Sequence, residues 1–381
     1  MEQIFNGRKI ILEDTTLRDG EQAPGFAFTK DMKIKVYKKL YDAGIRWFEV
    51  GIPVMGGEEV EALKELLEMN SDAQLVAWNR GVINDLKTSL DMGFKAVHIG
   101  LPSSDIHIKN SIQKKSDWVL QRAREVVEYV KDRGAYVSIS AEDVGRAEIS
   151  FLQEYAGVVE EAGADRLRLS DTVGILNFEQ YGNIIKKLKE TSNIDLQCHT
   201  HNDFGLALAN TLQGLQNGAK FFHATVNGIG ERAGMPDIIQ AVAVLKKVYG
   251  YDLGVDMKKL VKASEYVRKI TNTECFPWNP VIGDNVFAHE SGIHVNGMLH
   301  NKDTFEVLQP EELGKDRKYI LGKHSGRVTI EYFLKEMGLE MTSEELDECL
   351  VLVRQCAIDN LGQVSKDELK EMYVQIKNKC K

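Results

Sequence analysis

Short runs rich in β-branched and aromatic residues alternate with longer amphipathic stretches over the first two thirds of the chain. Eight of the short runs predict β-strands. They cover residues 9–15, 46–51, 74–79, 96–100, 136–142, 166–171, 196–201 and 222–228. Between them, segments such as 29–44 and 116–134 carry apolar residues at helical spacing and end at a glycine. The pattern therefore predicts eight strand–helix units.

Eight strand–helix units in about 250 residues are typical of a (β/α)₈ TIM barrel, which is an α/β fold. A doubly wound parallel sheet alternates strands and helices in the same way and stays the structural alternative. Beyond the eighth unit the pattern becomes mainly helical, with an amphipathic helix predicted over 342–362. We therefore predict a catalytic barrel over residues 1–250, a linker or lid subdomain over 251–330 and a small helical C-terminal subdomain over 331–381.

Composition narrows the class of protein. The chain has 381 residues, of which 43% are hydrophobic and 28% charged, as in ordinary globular enzymes. Its net charge of −9 argues against nucleic acid as a partner, since phosphate binding needs a basic surface. No apolar run is long enough to span a bilayer. Five scattered cysteines without a CxxC pair predict reduced thiols in a cytoplasmic protein.

Polar residues gather where the predicted strands end. In a (β/α)₈ barrel the catalytic residues lie at the carboxyl ends of the strands, so polar residues there converge on one mouth. Six predicted strands end in this way, with Arg18 and Asp19, Asn79, Glu142 and Asp143, Asp171 and Thr172, the sequence HTHND, and the sequence NGIGERAG. A single polar strand end is common on any surface, but six in one barrel predict an active site.

The sequence HTH on the seventh predicted strand is the sharpest of these features. His199 and His201 are two residues apart, so a strand directs both side chains to the same face. Two imidazoles on one face can bind the same metal ion, and Asp19 at the first strand end is available as a third ligand. This set predicts a divalent metal with open positions for substrate oxygens. The alternative is that these histidines only pack in the barrel.

Two glycine-containing sequences are more ambiguous. NGIGERAG, at 227–234, resembles a dinucleotide-binding loop, but its spacing is one residue too long and it follows the last strand of the series. We therefore interpret it as backbone that permits close approach of a ligand. HESGIH, at 289–294, lies beyond the barrel in a segment predicted to be irregular. It is either a surface loop or a loop that brings a general base over the barrel mouth.

Four sequences, DTTLRDGEQ, HTHNDFGLALAN, NGIGERAG and FAHESGIH, occur in this order along the chain. Together they resemble the metal-dependent acyl-CoA Claisen synthases. That family comprises the isopropylmalate, homocitrate and citramalate synthases and is related to hydroxymethylglutaryl-CoA lyase. The resemblance covers nearly the whole chain. The sequence VGIPVMG at 50–56 and the short tail are most similar to homocitrate synthases of the nitrogenase-associated type.

The resemblance implies a role for each candidate residue at the predicted metal site. Asp19, His199 and His201 match the family's metal ligands, for which Mg²⁺ or Mn²⁺ is expected and Zn²⁺ is the alternative. Arg18 matches the arginine that faces the oxo group of the substrate. Metal and guanidinium would then jointly stabilise the ketone oxygen as it becomes an alkoxide. This explains why Arg18 and Asp19 are adjacent.

The remaining roles also follow from the resemblance. Thr172 matches a hydroxyl contact to the carboxylate of the oxo acid, and Gln22 matches a further substrate contact. Glu142 and His294 match the acid–base pair that deprotonates the methyl group of acetyl-CoA, while Tyr319 is a weaker match to another catalytic residue. The family supplies the equivalent of His294 across a subunit interface, which predicts a homodimer with shared active sites.

Two positions depart from the family pattern. Met235 stands where the family usually has an asparagine on or near the metal, and a thioether is a poor ligand for Mg²⁺ or Mn²⁺. Water or a residue such as Asn227 would have to take over that contact, or the substrate differs. Ser138 stands where the lysine-pathway homocitrate synthases have an arginine for the distal carboxylate. Recognition of 2-oxoglutarate by that route is therefore in question.

The resemblance implies condensation of acetyl-CoA with a 2-oxo acid, foremost 2-oxoglutarate, to give (R)-homocitrate and free CoA. A Re-type citrate synthase, a citramalate synthase and an isopropylmalate synthase are the alternatives within the family. A hydroxymethylglutaryl-CoA-type lyase is more distant, because the long segment after residue 250 argues for a synthase. A hydrolytic metal barrel and a non-catalytic subunit, the latter suggested only by Met235, are alternatives from other classes.

Overall fold

Eight parallel strands close into a barrel in chain order, from β1 to β8. The computed structural model describes residue 5 and residues 7–69 and 71–379. The barrel strands are β1 Ile11–Asp14, β2 Trp47–Gly51, β3 Gln74–Arg80, β4 Ala96–Gly100, β5 Tyr136–Glu142, β6 Arg166–Asp171, β7 Asp195–Thr200 and β8 Phe221–Ala224. The barrel closes where β8 pairs with β1, with Phe221 opposite Ile11. The predicted TIM barrel is confirmed, and the doubly wound alternative is excluded.

Helices surround the barrel and continue beyond it. They are α1 Lys30–Asp42, α2 Gly57–Glu68, α3 Ile83–Met92, α4 Asp105–Asn110, α5 Ser116–Lys131, α6 Ile149–Glu161, α7 Phe178–Lys189, α8 Ala207–Gln216, α9 Ile238–Lys247, α10 Met257–Thr271, α11 Gly292–His300, α12 Arg327–Glu336, α13 Ser343–Asp359 and α14 Lys366–Lys379. Each barrel helix buries one apolar stripe. In α5 the buried residues Val119, Ala123, Val126 and Val130 recur at helical spacing, which is why this segment is a helix.

Two elements differ from the sequence prediction. The eighth strand ends at Ala224, four residues before the predicted end, because Asn227 takes a left-handed backbone conformation with φ of 61°. Residues 279–300 are only partly irregular, since their last nine residues form α11. The predicted helix over 342–362 corresponds to α13.

Two compact units make up the chain, Met1–Thr273 and Glu274–Lys381. The first unit extends beyond the predicted barrel boundary at residue 250 because α10 packs against α1. The predicted boundary between 330 and 331 falls inside α12, so the second unit is not divided there. Its core joins residues from α12, α13 and α14, including Ile330, Leu334, Val353 and Leu369.

The inside of the barrel is charged, although it is sealed from solvent. Arg166 and Arg168 alternate along β6 and both point inward. Arg166 donates to Glu13 of β1, and Arg168 Nη2 donates to Glu49 Oε2 of β2 at 2.5 Å. All four side chains are at most 1% exposed. Each buried charge is therefore compensated by an opposite charge on another strand.

Aromatic rings line the barrel below this charged layer. The guanidinium of Arg166 lies 4.6 Å from the ring centroid of Phe221 and 5.5 Å from that of Trp47. Tyr136 completes the group, with its ring centroid 5.7 Å from the same guanidinium. Cation–π attraction thus adds to the ion pair and holds the arginine in one position.

None of the helices in the described part of the chain has the length and apolar character to span a bilayer. The four described cysteines, Cys198, Cys275, Cys349 and Cys356, are free thiols, as predicted, and Cys380 lies outside the described residues. Burial raises the pKa of Cys198 to about 12, so this thiol is unreactive at neutral pH.

The buried ion pair predicts a large loss of stability when one partner is removed. Replacing Arg166 with methionine removes the closest positive charge from the buried Glu13, which should lower the free energy of unfolding by about 3–5 kcal/mol. The matched control is Arg124→Met, because Arg124 pairs with Glu161 at 2.8 Å on the exposed surface and should contribute at most about 1 kcal/mol. Urea unfolding measures both variants, and equal losses would contradict the argument.

Candidate active site

A cavity of about 230 Å³ opens at the carboxyl ends of the barrel strands. Its lining residues come from most of the strand ends and are almost all polar: Arg18, Asp19, Gln22, Trp78, His98, Ser140, Glu142, Arg168, Ser170, Thr172, His199, His201, Glu231 and Arg232. The cavity therefore gathers seven of the residues that the sequence singled out, from four different segments of the chain.

Asp19, His199 and His201 form a candidate metal site. Their ligating atoms all lie within 4.8 Å of one another, and His199 Nε2 lies 3.6 Å from Asp19 Oδ2. Asp19 is brought there by a turn directly after β1, whereas the histidines share one face at the end of β7. All three side chains are buried. The arrangement can hold a divalent cation without any change of strand register.

The state of the two imidazoles fits a metal site. Burial lowers the pKa of His199 well below its usual value, and the neighbouring His223 lowers it further. Burial also lowers the pKa of His201, against the opposing effect of Asp19. Both rings are therefore neutral at pH 7 and can offer a lone pair. His201 Nδ1 is buried without a hydrogen-bond partner among the described residues, as expected of a ligand atom that awaits a cation.

Deeper in the barrel lies a second cluster of possible ligands, formed by Glu13, Glu49 and His223. Their ligating atoms also lie within 4.8 Å of one another. Its carboxylates are already paired with Arg166 and Arg168. A cation there would have to displace a buried guanidinium, so this cluster has no room for a second positive charge.

Arg18 is held beside the candidate metal site by three acceptors. Its Nε donates to Glu49 Oε1 at 2.5 Å, and its Nη1 donates to Asp19 Oδ2 at 2.8 Å and to Gln22 Oε1 at 3.1 Å. Burial alone would lower the pKa of Arg18, but the attraction of Glu49 and Asp19 outweighs it and raises the pKa. The guanidinium thus stays charged in a nearly closed site, where it can stabilise negative charge.

Thr172 follows β6 and is oriented by the backbone of the neighbouring segment. Its Oγ1 accepts a hydrogen bond from the N–H of Asp143 at 2.9 Å. The nearest acceptor for its own hydroxyl hydrogen is the carbonyl of Ser170, at a long 3.4 Å. A carboxylate in the cavity would be a better acceptor, so the hydroxyl is well placed to bind one.

Glu142, at the end of β5, is a candidate general base. Burial raises its pKa above the usual value, although Arg18 opposes the shift. Gly100 on the adjacent strand makes room for the carboxylate, since a Cβ there would lie 2.6 Å from Glu142 Oε1. A carboxylate with a raised pKa accepts a proton more readily than an ordinary one.

The glycines of the NGIGERAG loop allow close contact with other parts of the chain. From the sequence, we predicted close contact with a ligand instead. A Cβ on Gly234 would lie 1.9 Å from the carbonyl oxygen of Gly228, and one on Gly230 would lie 2.9 Å from Asp19 Oδ1. Arg232 ties the loop down by a two-pronged ion pair with Asp203 at 2.8 and 2.9 Å. The glycines therefore let the loop pack closely against the candidate metal ligand.

Asn227 does not replace the missing asparagine at position 235. Its Oδ1 accepts hydrogen bonds from Ser264 and Arg268, and its Nδ2 donates to the carbonyl of Ser264 at 3.1 Å. The side chain thus binds α10 instead of facing the cavity, so this alternative is wrong. Met235 is buried beside Gly230.

Two predicted site residues belong to the second compact unit. His294 is exposed on α11, not in an irregular loop, and its ring stacks on Phe305 with centroids 4.0 Å apart. Tyr319 lies on β10 (Lys318–Tyr319), which pairs with β9 (Ala288–His289). In contrast to His294, His289 is buried and its Nε2 lies 3.2 Å from Glu306 Oε1. Within HESGIH, His294 is thus the histidine available for chemistry.

The sequence analysis missed the inward-facing residues that support the cavity: Glu49, His98, Arg168 and His223. Each lies at an inward position of a predicted strand, next to strictly apolar outward positions, as in RLRLSD of β6. Charged residues repeating at a period of two within an otherwise buried strand could have indicated them.

Family models match both units of the chain. The family described as HMGL-like matches residues 9–267, and the homocitrate synthase post-HMGL domain-like family matches residues 281–361.

Three relatives match over nearly the full length. The chain is 54% identical over 364 residues to the 2-phosphonomethylmalate synthase of Streptomyces rubellomurinus, covering 96% of this chain and 98% of that protein. It is 44% identical over 377 residues to 2-isopropylmalate synthase 2 of Caldanaerobacter subterraneus subsp. tengcongensis, covering 98% of each. It is 41% identical over 362 residues to homocitrate synthase 1 of Nostoc sp., covering 95% and 96%.

Among solved structures, hydroxymethylglutaryl-CoA lyase from Pseudomonas aeruginosa has the same fold. It superposes with a TM-score of 0.62 at 21% sequence identity, over 70% of this chain and 94% of that chain. The fold, the polar cavity and the full-length relatives agree with the resemblance carried by the four sequence motifs. The chain is therefore an enzyme of the HMGL-like family and belongs among its synthases that condense acetyl-CoA with a 2-oxo acid.

Proposed function

We propose that this enzyme condenses acetyl-CoA with a 2-oxo acid whose distal group is an anion, and that the substrate is 3-phosphonopyruvate. The product would be 2-phosphonomethylmalate, with release of CoA. The observation that carries the proposal is a buried, unpartnered donor at the cavity, the Nε2 of His98.

The hydrogen bonds around His98 support a donor at Nε2. Arg166 Nε donates to Ser138 Oγ at 3.0 Å, so the hydroxyl hydrogen of Ser138 is left for His98 Nδ1, 2.9 Å away. Nδ1 then accepts. Burial, and repulsion by Arg168, lower the pKa of His98 well below its usual value, so the ring is neutral and its one proton is on Nε2. This N–H has no acceptor among the described residues.

Charge and polarity around this donor favour an anionic distal group. Arg168 also lines the cavity, and the hydroxyl-bearing Ser140 and Ser170 complete this polar wall. An isopropyl or methyl group would leave these buried donors without acceptors, which costs about 1–3 kcal/mol for each. 2-Oxoisovalerate and pyruvate are therefore poor fits. Arg168 of β6 would thus supply the positive charge, and the neutral His98 a hydrogen-bond donor, that Ser138 does not supply on β5.

The choice of phosphonate rests on the relative with 54% identity. Removing the acetyl unit from 2-phosphonomethylmalate leaves 3-phosphonopyruvate, a 2-oxo acid with a phosphonate on C3. A phosphonate offers three acceptor oxygens to the several donors of this wall. The second candidate is 2-oxoglutarate, the substrate expected from the sequence. It is favoured by the anionic distal carboxylate and by the relative from Nostoc sp. with 41% identity.

In the proposed reaction, a base takes a proton from the acetyl methyl group, and the resulting carbanion attacks C2 of the oxo acid. The ketone oxygen becomes an alkoxide and then a hydroxyl, and water cleaves the thioester to release CoA. Glu142, with its raised pKa, would take the methyl proton together with His294, and Tyr319 would assist. Thr172 would bind the oxo-acid carboxylate, with Gln22 beside it.

A divalent cation held by Asp19, His199 and His201 would supply Lewis-acid stabilisation of the developing alkoxide. Two imidazoles and one carboxylate suit Mn²⁺ or Zn²⁺ and are compatible with Mg²⁺. Arg18 would donate to the same oxygen, since Glu49 already fixes its orientation.

The first prediction from this proposal distinguishes residues that bind the metal from Arg18, which acts on the rate. Asp19→Ala, His199→Ala and His201→Ala should each lose bound metal, because each removes a ligand. Arg18→Ala should retain the metal but lose about 10²–10³-fold in kcat, because it removes one donor to the developing charge. Metal analysis of the purified variants, combined with release of CoA, measures both effects. If Arg18→Ala is purified without metal, this division of roles is wrong.

The second prediction concerns the substrate. With acetyl-CoA and a panel of oxo acids, kcat/KM for CoA release should be highest for 3-phosphonopyruvate, then 2-oxoglutarate or oxaloacetate, and lowest for pyruvate and 2-oxoisovalerate. His98→Phe should reduce kcat/KM for the anionic acids by about 10–100-fold, the value of one hydrogen bond to a charged group. Turnover of pyruvate should fall less. Preferred turnover of 2-oxoisovalerate or pyruvate by the native enzyme would overturn the proposal.

The third prediction concerns assembly. We propose a homodimer in which His294 serves the active site of the other subunit, supported by the exposure of this ring and by the family resemblance. Mixing Arg18→Ala with His294→Ala subunits then restores one intact site in each heterodimer, or about a quarter of all sites after random exchange. If exchange is verified by mass and no CoA release returns, both residues act within one chain.

A further inference from the structure

Three buried side chains form a continuous chain from the barrel interior to the candidate metal site. His199 Nδ1 lies 2.8 Å from His223 Nδ1, and His223 Nε2 lies 3.5 Å from Glu13 Oε1. Glu13 and His223 are fully buried, and His199 is 5% exposed. Neither His223 nor Glu13 lines the cavity. Their shortest connection to the candidate metal site therefore runs through His199.

The position of one proton decides what His199 can do. A bond between two imidazole nitrogens contains a single hydrogen, on one ring or on the other. If it belongs to His199 Nδ1, then His199 Nε2 carries a lone pair that faces Asp19. If it belongs to His223, then His199 Nε2 carries a hydrogen and cannot bind a cation. The partner of His223 Nε2 selects between these two arrangements.

Glu13 is the neighbour that decides which nitrogen of His223 carries the hydrogen. Burial would raise its pKa, but attraction to Arg166 and hydrogen bonding with His223 lower it to about 2, so it is ionised. Its Oε1 accepts no hydrogen bond of ordinary geometry among the described residues, and His223 Nε2, at 3.5 Å, lies closer to it than Arg168 Nη2, at 4.0 Å. A buried, charged oxygen without a donor is costly, so Glu13 attracts the hydrogen of His223 to Nε2. His223 Nδ1 then accepts, and the shared hydrogen belongs to His199.

Arg168 is the competing neighbour. Its Nη2 lies 3.4 Å from His223 Nε2 and, as a donor, would favour the opposite arrangement. That nitrogen already donates to Glu49 Oε2 at 2.5 Å and lies 4.0 Å from Glu13 Oε1, too far to satisfy that oxygen. The unsatisfied carboxylate oxygen therefore outweighs the guanidinium.

We propose that His223 is a positioning residue, which together with Glu13 holds His199 in the tautomer whose Nε2 is free to bind a divalent cation. The inference rests on the proposed metal site and is independent of the identity of the oxo acid. It extends the usual carboxylate–histidine–metal arrangement by one imidazole. Its function is to prepare the ligand before the cation arrives.

Binding of Co²⁺ to metal-free protein tests the proposal without any measurement of catalysis. His223→Phe removes the acceptor and should weaken Co²⁺ binding by about 10–100-fold, the usual effect of losing a group that orients a ligand. His223→Asn can still accept from His199 Nδ1–H through its Oδ1 and should stay within a few-fold of the native affinity. The matched control is His289→Phe, the same change at a buried histidine that pairs with Glu306 instead of with a candidate metal ligand, and it should leave the affinity unchanged.

Three outcomes would overturn the proposal. The first is a native Co²⁺ affinity in His223→Phe. The second is equal weakening of Co²⁺ binding in His223→Asn and His223→Phe. Equal weakening would indicate an effect of packing, because only asparagine can accept the hydrogen bond from His199. The third is a native metal-free protein that does not bind Co²⁺. Weakened binding in His223→Phe, with rescue by asparagine, would support the positioning role of His223 even if 3-phosphonopyruvate were not the substrate.

Discussion

The pairing of two guanidiniums with two carboxylates inside the barrel is the interaction on which the rest of the site depends. Arg166 and Arg168 of β6 meet Glu13 and Glu49 of β1 and β2, across the barrel interior. Burial would favour the neutral form of each carboxyl, but the facing arginines lower the pKa of both. A TIM barrel normally fills its interior with branched apolar side chains. In this barrel, four charged side chains that compensate one another occupy the interior instead.

The two carboxylates of this charged layer also hold groups nearer the mouth. Glu49 fixes Arg18 by a hydrogen bond of 2.5 Å, and Glu13 reaches His199 through His223. The charged layer therefore fixes the orientation of Arg18 and His199 at the cavity. Such support is costly in stability, because a hydrophobic interior of the same volume is often at least as stable. Its benefit is a set of polar groups that need no rearrangement when negative charge develops.

The sequence allowed the barrel to be predicted because apolar outward positions and helical periodicity are local properties. The eighth strand was predicted four residues too long, since only the left-handed backbone of Asn227 ends it. The metal triad could also be predicted, because strand periodicity places His199 and His201 on one face. The pairing of Glu13 with Arg166 could not, since it joins residues 153 apart in sequence. Likewise, the role of Asn227 became clear only from its contact with α10.

If specificity lies in the inward wall of the barrel, as we propose, closely related enzymes can differ in substrate while sharing one reaction. The groups proposed to act at the reacting carbon, Arg18 and Thr172, come from strand ends, whereas His98 and Arg168 come from positions deeper in β4 and β6. Exchange of His98 would alter the proposed distal contact and would remove none of the three acceptors that hold Arg18. The hydrogen bond between Ser138 and His98 illustrates this, because one small hydroxyl on β5 decides which nitrogen of the imidazole faces the cavity. In the proposed function, substrate choice would thus be separable from the chemistry of condensation.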